Sequence, residues 1–189
     1  MFGGGGKTTH IAQLLNQTGK VYAHDIYEHK IKLINENVKR LGLENVAVTL
    51  QDAKTLDHVY EVENFDSILV DAPCSGLGIL RRHPEVKLTK QPTDIDQIMK
   101  IQKSILTAVA PLVKVGGKVV YSTCTVNRKE NDKLIEQFIK EHPEFTLDET
   151  LAERMPEPLK TTVKSGMIQL FPGEFKTDGF FIATLTKLK

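Results

Sequence analysis

The sequence predicts a doubly wound, Rossmann-like α/β domain, on three observations. Apolar strand-like runs alternate with amphipathic helical patterns, as layered α/β domains require. A glycine run at residues 3–6 leads directly into the first helical pattern. Asp25, Asp52, Asp71, Cys74 and Cys124 all fall at or just past the C-terminal ends of strand-like runs, the edge where open α/β sheets bind ligands. With 189 residues, 40% hydrophobic and 26% charged, the whole chain is expected to form one domain with a sufficient core.

The elements follow in order. A short helix over 7–17 leaves the glycine run, and VYAHD at 21–25 is a strand. A helix over 28–41 places Ile31, Ile34, Val38 and Leu41 on one face, with Gly42 at the position after its end. A strand over 46–50 precedes Asp52. SILV at 67–70 lacks alternation, the mark of a strand covered on both faces. Thr93 caps a long helix over 94–113, with Ile98, Ile101, Ile105, Val109 and Leu112 inward. After a turn at Gly116 and Gly117, residues 119–122 form the next strand, and a helix over 129–141 stops at His142-Pro143. Residues 144–166 are expected to be irregular. Runs at 167–171 and 180–185, joined by PGEFKTDG, form a hairpin that adds antiparallel strands at one edge of a mostly parallel sheet. No strand-like run precedes the glycine loop, so the first central strand is expected to be missing.

Charge and composition exclude several classes. Lys and Arg number 25 against 24 Asp and Glu, a net charge of +1. That is no polycation, and nucleic-acid binding would need a local basic patch. No apolar run nears the roughly 20 residues that span a bilayer, and no secretory pattern opens the chain. A cytoplasmic protein without membrane partners is expected. Cys74 and Cys124 lack a CxxC or His ligand set, so no metal site is expected. The two thiols are either buried core residues or chemistry. A Walker A loop would place its first glycine at Met1, and a dinucleotide fingerprint would put Thr8 where the third glycine belongs. What remains is a flexible loop whose backbone can approach a ligand at a helix N-terminus, or a plain glycine tail.

Asp25 has the position of an acid that accepts both hydroxyls of a ribose, and Asp52 ends the next strand in the same row. Either is alternatively a solvated strand-end carboxylate. The segments DAPCSG (71–76) and YSTCT (121–125) bring Asp71 and both thiols to neighbouring strand ends. The bland alternative is two small buried hydrophobes. Arg81, Arg82, Lys87 and Lys90 follow in one loop with a single Glu between Leu80 and Lys90, either gripping a nucleic-acid backbone or simply solvated.

DAPCSG followed by YSTCT, together with GGKTTH, KEND and TDGFFIA, resembles the Nop/Sun family of RNA cytosine-5 methyltransferases. The text around these motifs most resembles the bacterial RsmB type, which modifies small-subunit ribosomal RNA. The resemblance implies an S-adenosylmethionine-dependent methyltransferase fold acting on RNA. It places Gly4, Gly5, Gly6 and Lys7 in the cofactor loop, Asp25 at the ribose, Asp52 at the adenine side and Asp71 at the cofactor edge and the base. It makes Cys124 the nucleophile, and Cys74 is then free to assist its release. The family loop reads Cys-Ala-Ala-Pro-Gly-Gly-Lys, whereas here Met1, Phe2, Gly3 and Gly4 fill the first four places. The chain is therefore expected to be a catalytic domain cut within its first motif, without the family's helical RNA-binding domain. A non-catalytic RNA-binding fragment, or a methyltransferase for small molecules or proteins, are the alternatives.

Overall fold

Gly5 starts the first helix by taking a left-handed φ of +77°, with the Ile34 side chain 2.9 Å from where its Cβ would lie. Only glycine suits both the backbone and the space. The computed structural model describes residues 5–84 and 92–189, the side chain of Pro92 excepted. They form two compact units, Met1–Leu56 and Asp57–Lys189.

The first unit contains α1 (Gly6–Leu14), β1 (Val21–Asp25), α2 (Glu28–Arg40) and β2 (Val46–Leu50). The two strands pair in parallel, from Val21 opposite Val46 to Asp25 opposite Leu50. Asn45 ties the connection down, its Nδ2 donating to the Ala12 and Gly19 carbonyls at 3.0 and 3.3 Å. Helix α2 ends as its sequence foretells. Gly42 has a φ of +62°, and the Leu43 amide donates back to the Val38 carbonyl, satisfying carbonyls that the helix leaves open. Of the expected apolar face, Ile34 is buried and Leu41 is exposed.

The second unit is built on six strands. These are β3 (Phe65–Asp71), β4 (Val113–Thr123), β5 (Phe145–Leu147), β6 (Val163–Lys164), β7 (Met167–Leu170) and β8 (Phe180–Lys187). Their order is β3-β4-β8-β7-β6, with β5 also paired to β8. Only β3·β4 is parallel; the pairings made by β8 and the β6·β7 pairing are antiparallel. The C-terminal hairpin thus joins the sheet beside β4, as expected, but β8 reaches further into the sheet than a marginal addition. Its residues Phe181, Ala183 and Leu185 are buried, and Tyr121 packs edge-on against Phe181. Helices α3 (Pro92–Val109), α4 (Asp132–Glu141) and α5 (Glu157–Lys160) complete this unit.

Five sequence expectations change here. The SILV run was expected to be covered on both faces, yet in β3 only Val70 is buried and Leu69 is exposed; neighbouring strand residues point to opposite faces, so the face that carries Leu69 is open. Gly116 and Gly117 are not a turn before a short strand. They lie inside β4, where the register with β3 shifts between Phe65 and Ser67. Thr93 does not precede the long helix but follows its first residue, Pro92. The inward stripe of that helix runs through Gln102, Ile105, Leu106 and Val109, leaving Ile101 exposed; the amide of Gln102 has buried partners described below. Finally, residues 144–166 are not wholly irregular, since they contain β5, α5, β6 and a 3-10 turn over Glu149–Arg154.

Candidate active site

Strand register creates the thiol site. Asp71 at the end of β3 is opposite Ser122 near the end of β4, and the Ala72 amide extends the ladder by donating to the Ser122 carbonyl at 2.9 Å. Both chains then leave the sheet together, and this brings Cys74 and Cys124, 50 residues apart, to an Sγ–Sγ distance of 3.1 Å. Both are free thiols; Cys74 is buried and Cys124 half-buried. The hydrogen bond with Cys124 and then burial push the Cys74 thiol well above its ordinary value. The more deeply buried sulfur, Cys74, therefore keeps its proton. Asp71 is exposed, and its carboxylate accepts from the Ser122 hydroxyl at 3.1 Å.

A buried polar cluster fixes both thiol loops. The carboxylate of Glu130, fully buried, accepts from the Ser75 amide (2.8 Å), the Ser75 hydroxyl (2.5 Å), Gln102 Nε2 (3.1 Å) and Asn127 Nδ2 (3.0 Å). Gln102 Nε2 also donates to the Pro73 carbonyl, and Ser75 bonds Thr125 at 2.8 Å. Asn131 continues the cluster, donating to the Thr125 carbonyl and to Gln169 while accepting from Thr123. Each residue flanking a thiol is thus held by a partner from another loop. In a low-dielectric interior such a network defines one geometry; Gln102 Oε1 is its buried acceptor without a hydrogen-bond partner, a cost the other bonds outweigh. Burial and the adjoining Glu130 charge push the Tyr121 hydroxyl upward, and it donates to the Glu130 carbonyl. None of Glu130, Gln102, Thr125 or Asn131 was expected from sequence. The one available signal was KEND, a charged tetrapeptide that enters α4.

Backbone contact seals the loops. The Gly78 amide donates to the Cys124 carbonyl (3.0 Å), and the Gly179 amide donates to the Gly78 carbonyl (2.8 Å). A Cβ on Gly78 would collide with the Gly179 carbonyl and lie 2.7 Å from that of Cys124. Close approach of three backbones requires glycine at this point. Arg81 is exposed beside this loop, and Arg82 Nε pairs with Asp178 at 3.1 Å. Lys87 and Lys90 lie outside the described residues, as does Gly4.

In the first unit, Asp25 and Asp52 stand at the C-terminal edge of the parallel pair, where the Gln51 amide donates to the Asp25 carbonyl. Asp25 accepts from the Tyr27 amide and pairs with Lys30 at 3.3 Å. Asp52 accepts from the Lys54 amide and pairs with Lys54 Nζ at 3.2 Å. Helix α1 has no side-chain cap, and a Cβ on Gly6 would meet nothing within 4 Å. A helix start without a side-chain cap and two strand-end carboxylates are groups that could hold a nucleoside with an acidic or polar tail. Among the described residues no group of His, Cys, Asp and Glu could hold a metal ion, and no helix is long and apolar enough to cross a membrane.

Residues 2–186 match the family model for the 16S rRNA methyltransferase RsmB/F. The chain is 49% identical over 183 residues to the probable ribosomal RNA small subunit methyltransferase B of Bacillus subtilis, covering 97% of this chain and 41% of that protein. Among solved structures, PH0851 superposes with a TM-score of 0.87 at 34% identity, covering 96% of this chain and 40% of that one. NSun6 from Pyrococcus horikoshii, solved with SFG, gives 0.81 at 33% identity, covering 98% and 46%. The chain therefore spans about two fifths of the relatives it matches. These likenesses establish the Rossmann-like methyltransferase fold, and the family's methyl donor is S-adenosylmethionine. By sequence along almost its whole length and by fold, this chain belongs to the 16S rRNA methyltransferase RsmB/F family.

Proposed function

We propose that this chain transfers a methyl group from S-adenosylmethionine to C5 of a cytosine in small-subunit ribosomal RNA, with Cys124 as the nucleophile. The observation that carries the reading is the pair of thiols 3.1 Å apart at the ends of adjacent parallel strands, in a family of ribosomal RNA methyltransferases. The first unit's Gly5, Gly6 and Lys7, with Gly4, hold the cofactor, Asp25 binds its ribose and Asp52 meets its adenine side. Asp71 serves the cofactor edge and the base. Arg81, Arg82 and Lys87 contact RNA phosphates.

C5 of cytosine is not nucleophilic in the resting base. The Cys124 thiolate makes it so by forming an S–C6 bond, which moves the C5–C6 π electrons toward C5. Asp71, held by Ser122, eases the developing charge by sharing a proton at N3. When bound, S-adenosylmethionine supplies a methyl made electrophilic by its sulfonium. A base from solvent then takes the C5 proton, the C5–H electron pair re-forms the C5–C6 double bond, and the S–C6 bond breaks with its electrons on sulfur. Cys74, hydrogen-bonded to the departing sulfur, donates to the thiolate as it leaves. The target base must be out of its RNA stack to reach this site.

The test uses RNA carrying 5-fluorocytosine, in which loss of the C5 substituent is blocked. With cofactor, the wild-type chain forms a covalent adduct that survives a denaturing gel, and Cys124→Ala forms none. Cys74→Ala still attacks but releases slowly, so an adduct accumulates even with ordinary cytosine. An adduct in Cys124→Ala with none in Cys74→Ala would reverse the assignment of the two thiols.

A further inference from the structure

The loop from β7 to β8 projects from the thiol site. Its C-terminal root is Gly179, which bonds Gly78 and through it the Cys124 carbonyl. A Cβ on Gly179 would lie 3.0 Å from Pro172 Cδ, so the loop's other root packs at the same point. Asp178 is tied to Arg82 at 3.1 Å. Between these roots, residues 171–177 are all exposed. They include Phe171, 52% exposed, and Phe175, 44% exposed. Every other described phenylalanine is buried or half-buried.

The loop spends strain to hold this arrangement. Phe175 and Lys176 both have left-handed φ angles, +48° and +57°, a conformation that bulky side chains avoid. It is kept by bonds within the loop, from the Gly173 amide to the Thr177 carbonyl and from the Phe171 amide to the Glu174 carboxylate. Both acids of the loop are occupied, Glu174 by that amide and Asp178 by Arg82. The cations Arg81, Arg82 and Lys176 are exposed, Lys176 next to Phe175 in the chain and Arg82 joined to the loop through Asp178. Exposed aromatic faces interleaved with cations are what an unpaired nucleotide chain requires, rings for the bases and charges for the phosphates.

We propose that the 171–178 loop is a stacking platform for an unpaired RNA base flanking the target cytosine, with Phe171 and Phe175 as its rings. The proposal rests on the RNA reading above, and the experiment separates the two. The chain contains no tryptophan, so Phe175→Trp or Phe171→Trp introduces a single fluorescent reporter at the site. An oligocytidylate should quench its emission, whereas an abasic oligomer with the same phosphates should not. Phe171→Ala with Phe175→Ala should weaken oligocytidylate binding, read by anisotropy, about tenfold, leave its salt slope unchanged, and be rescued by tyrosine at both positions. If oligocytidylate binds the wild-type chain but neither tryptophan is quenched and the double alanine variant keeps full affinity, the platform is refuted while the RNA reading stands. If the wild-type chain binds no oligocytidylate at all, both fail.

Discussion

Gly6 and Gly78 each sit in a loop assigned to the reaction, yet their surroundings are opposite. A Cβ on Gly6 would meet nothing within 4 Å, whereas one on Gly78 would run into the backbones of Gly179 and Cys124. The same contrast runs through the charged groups. Asp25 and Asp52 are partly exposed and paired only with lysines close in sequence. Glu130 is fully buried and bonded by residues 55 and 28 positions away as well as by a near neighbour. The first unit keeps its strand-end carboxylates near the surface on local partners. The second turns its polar groups on itself, fixing two sulfurs whose proposed reaction would tolerate little misplacement.

The sharpest way to break this contrast is to empty the Glu130 cluster. Glu130→Ala leaves donors of Ser75, Gln102 and Asn127 without an acceptor and should lower stability by about 3–5 kcal/mol. Glu130→Gln keeps the shape but turns one acceptor into a donor, and should cost about 1–3 kcal/mol. Urea unfolding measures both. A loss under about 1 kcal/mol for Glu130→Ala would show that packing alone orders the thiol loops.

The glycine pair gives a smaller effect. Gly78→Ala must displace backbone and should cost about 1–3 kcal/mol, with slower adduct formation on 5-fluorocytosine RNA. Gly6→Ala should be neutral or stabilising by up to about 1 kcal/mol, and should weaken S-adenosylmethionine binding in calorimetry. Equal stability changes at the two positions would erase the distinction.

Acid gives the smallest effect and sharpens the comparison most finely. Burial holds His24 below its ordinary value of 6.5, so the unfolded chain takes up its proton first. That stability is complete above about pH 6.5 and is lost as pH falls toward the lowered value. In the second unit, burial alone would raise Asp148, but hydrogen bonds from Lys118, Thr150 and Arg154 outweigh it and hold the carboxyl well below its ordinary 3.8. Its stability persists down to about pH 4 and is lost below. Amide exchange at pH 5 should therefore quicken in β1 and β2 before it changes in β4 and β8. Simultaneous loosening would contradict this order.

The sequence by itself determined the regularly patterned elements and the strand ends at which the two cysteines lie. Helix α2, its glycine end, strands β1 and β2, the C-terminal hairpin and the adjacency of the two cysteine-bearing strand ends were all legible. Each depends on periodicity, turn residues or strand succession, which neighbouring residues encode. Tertiary structure alone decided which polar groups are buried together. Gln102 occupies a position that periodicity gives to an apolar residue, because the Pro73 carbonyl and Glu130 arrive there from other loops. Glu130 reads in sequence as one more surface acid, and only the packing of 75, 102 and 127 around it makes it a buried acceptor. Gly116 and Gly117 read as a turn, and the pairing of Val113 and Lys118 on either side of them with β3 carries the strand through. Local sequence specifies which atoms are available for a bond; the partner is chosen by distant chain that folding brings within about 3 Å.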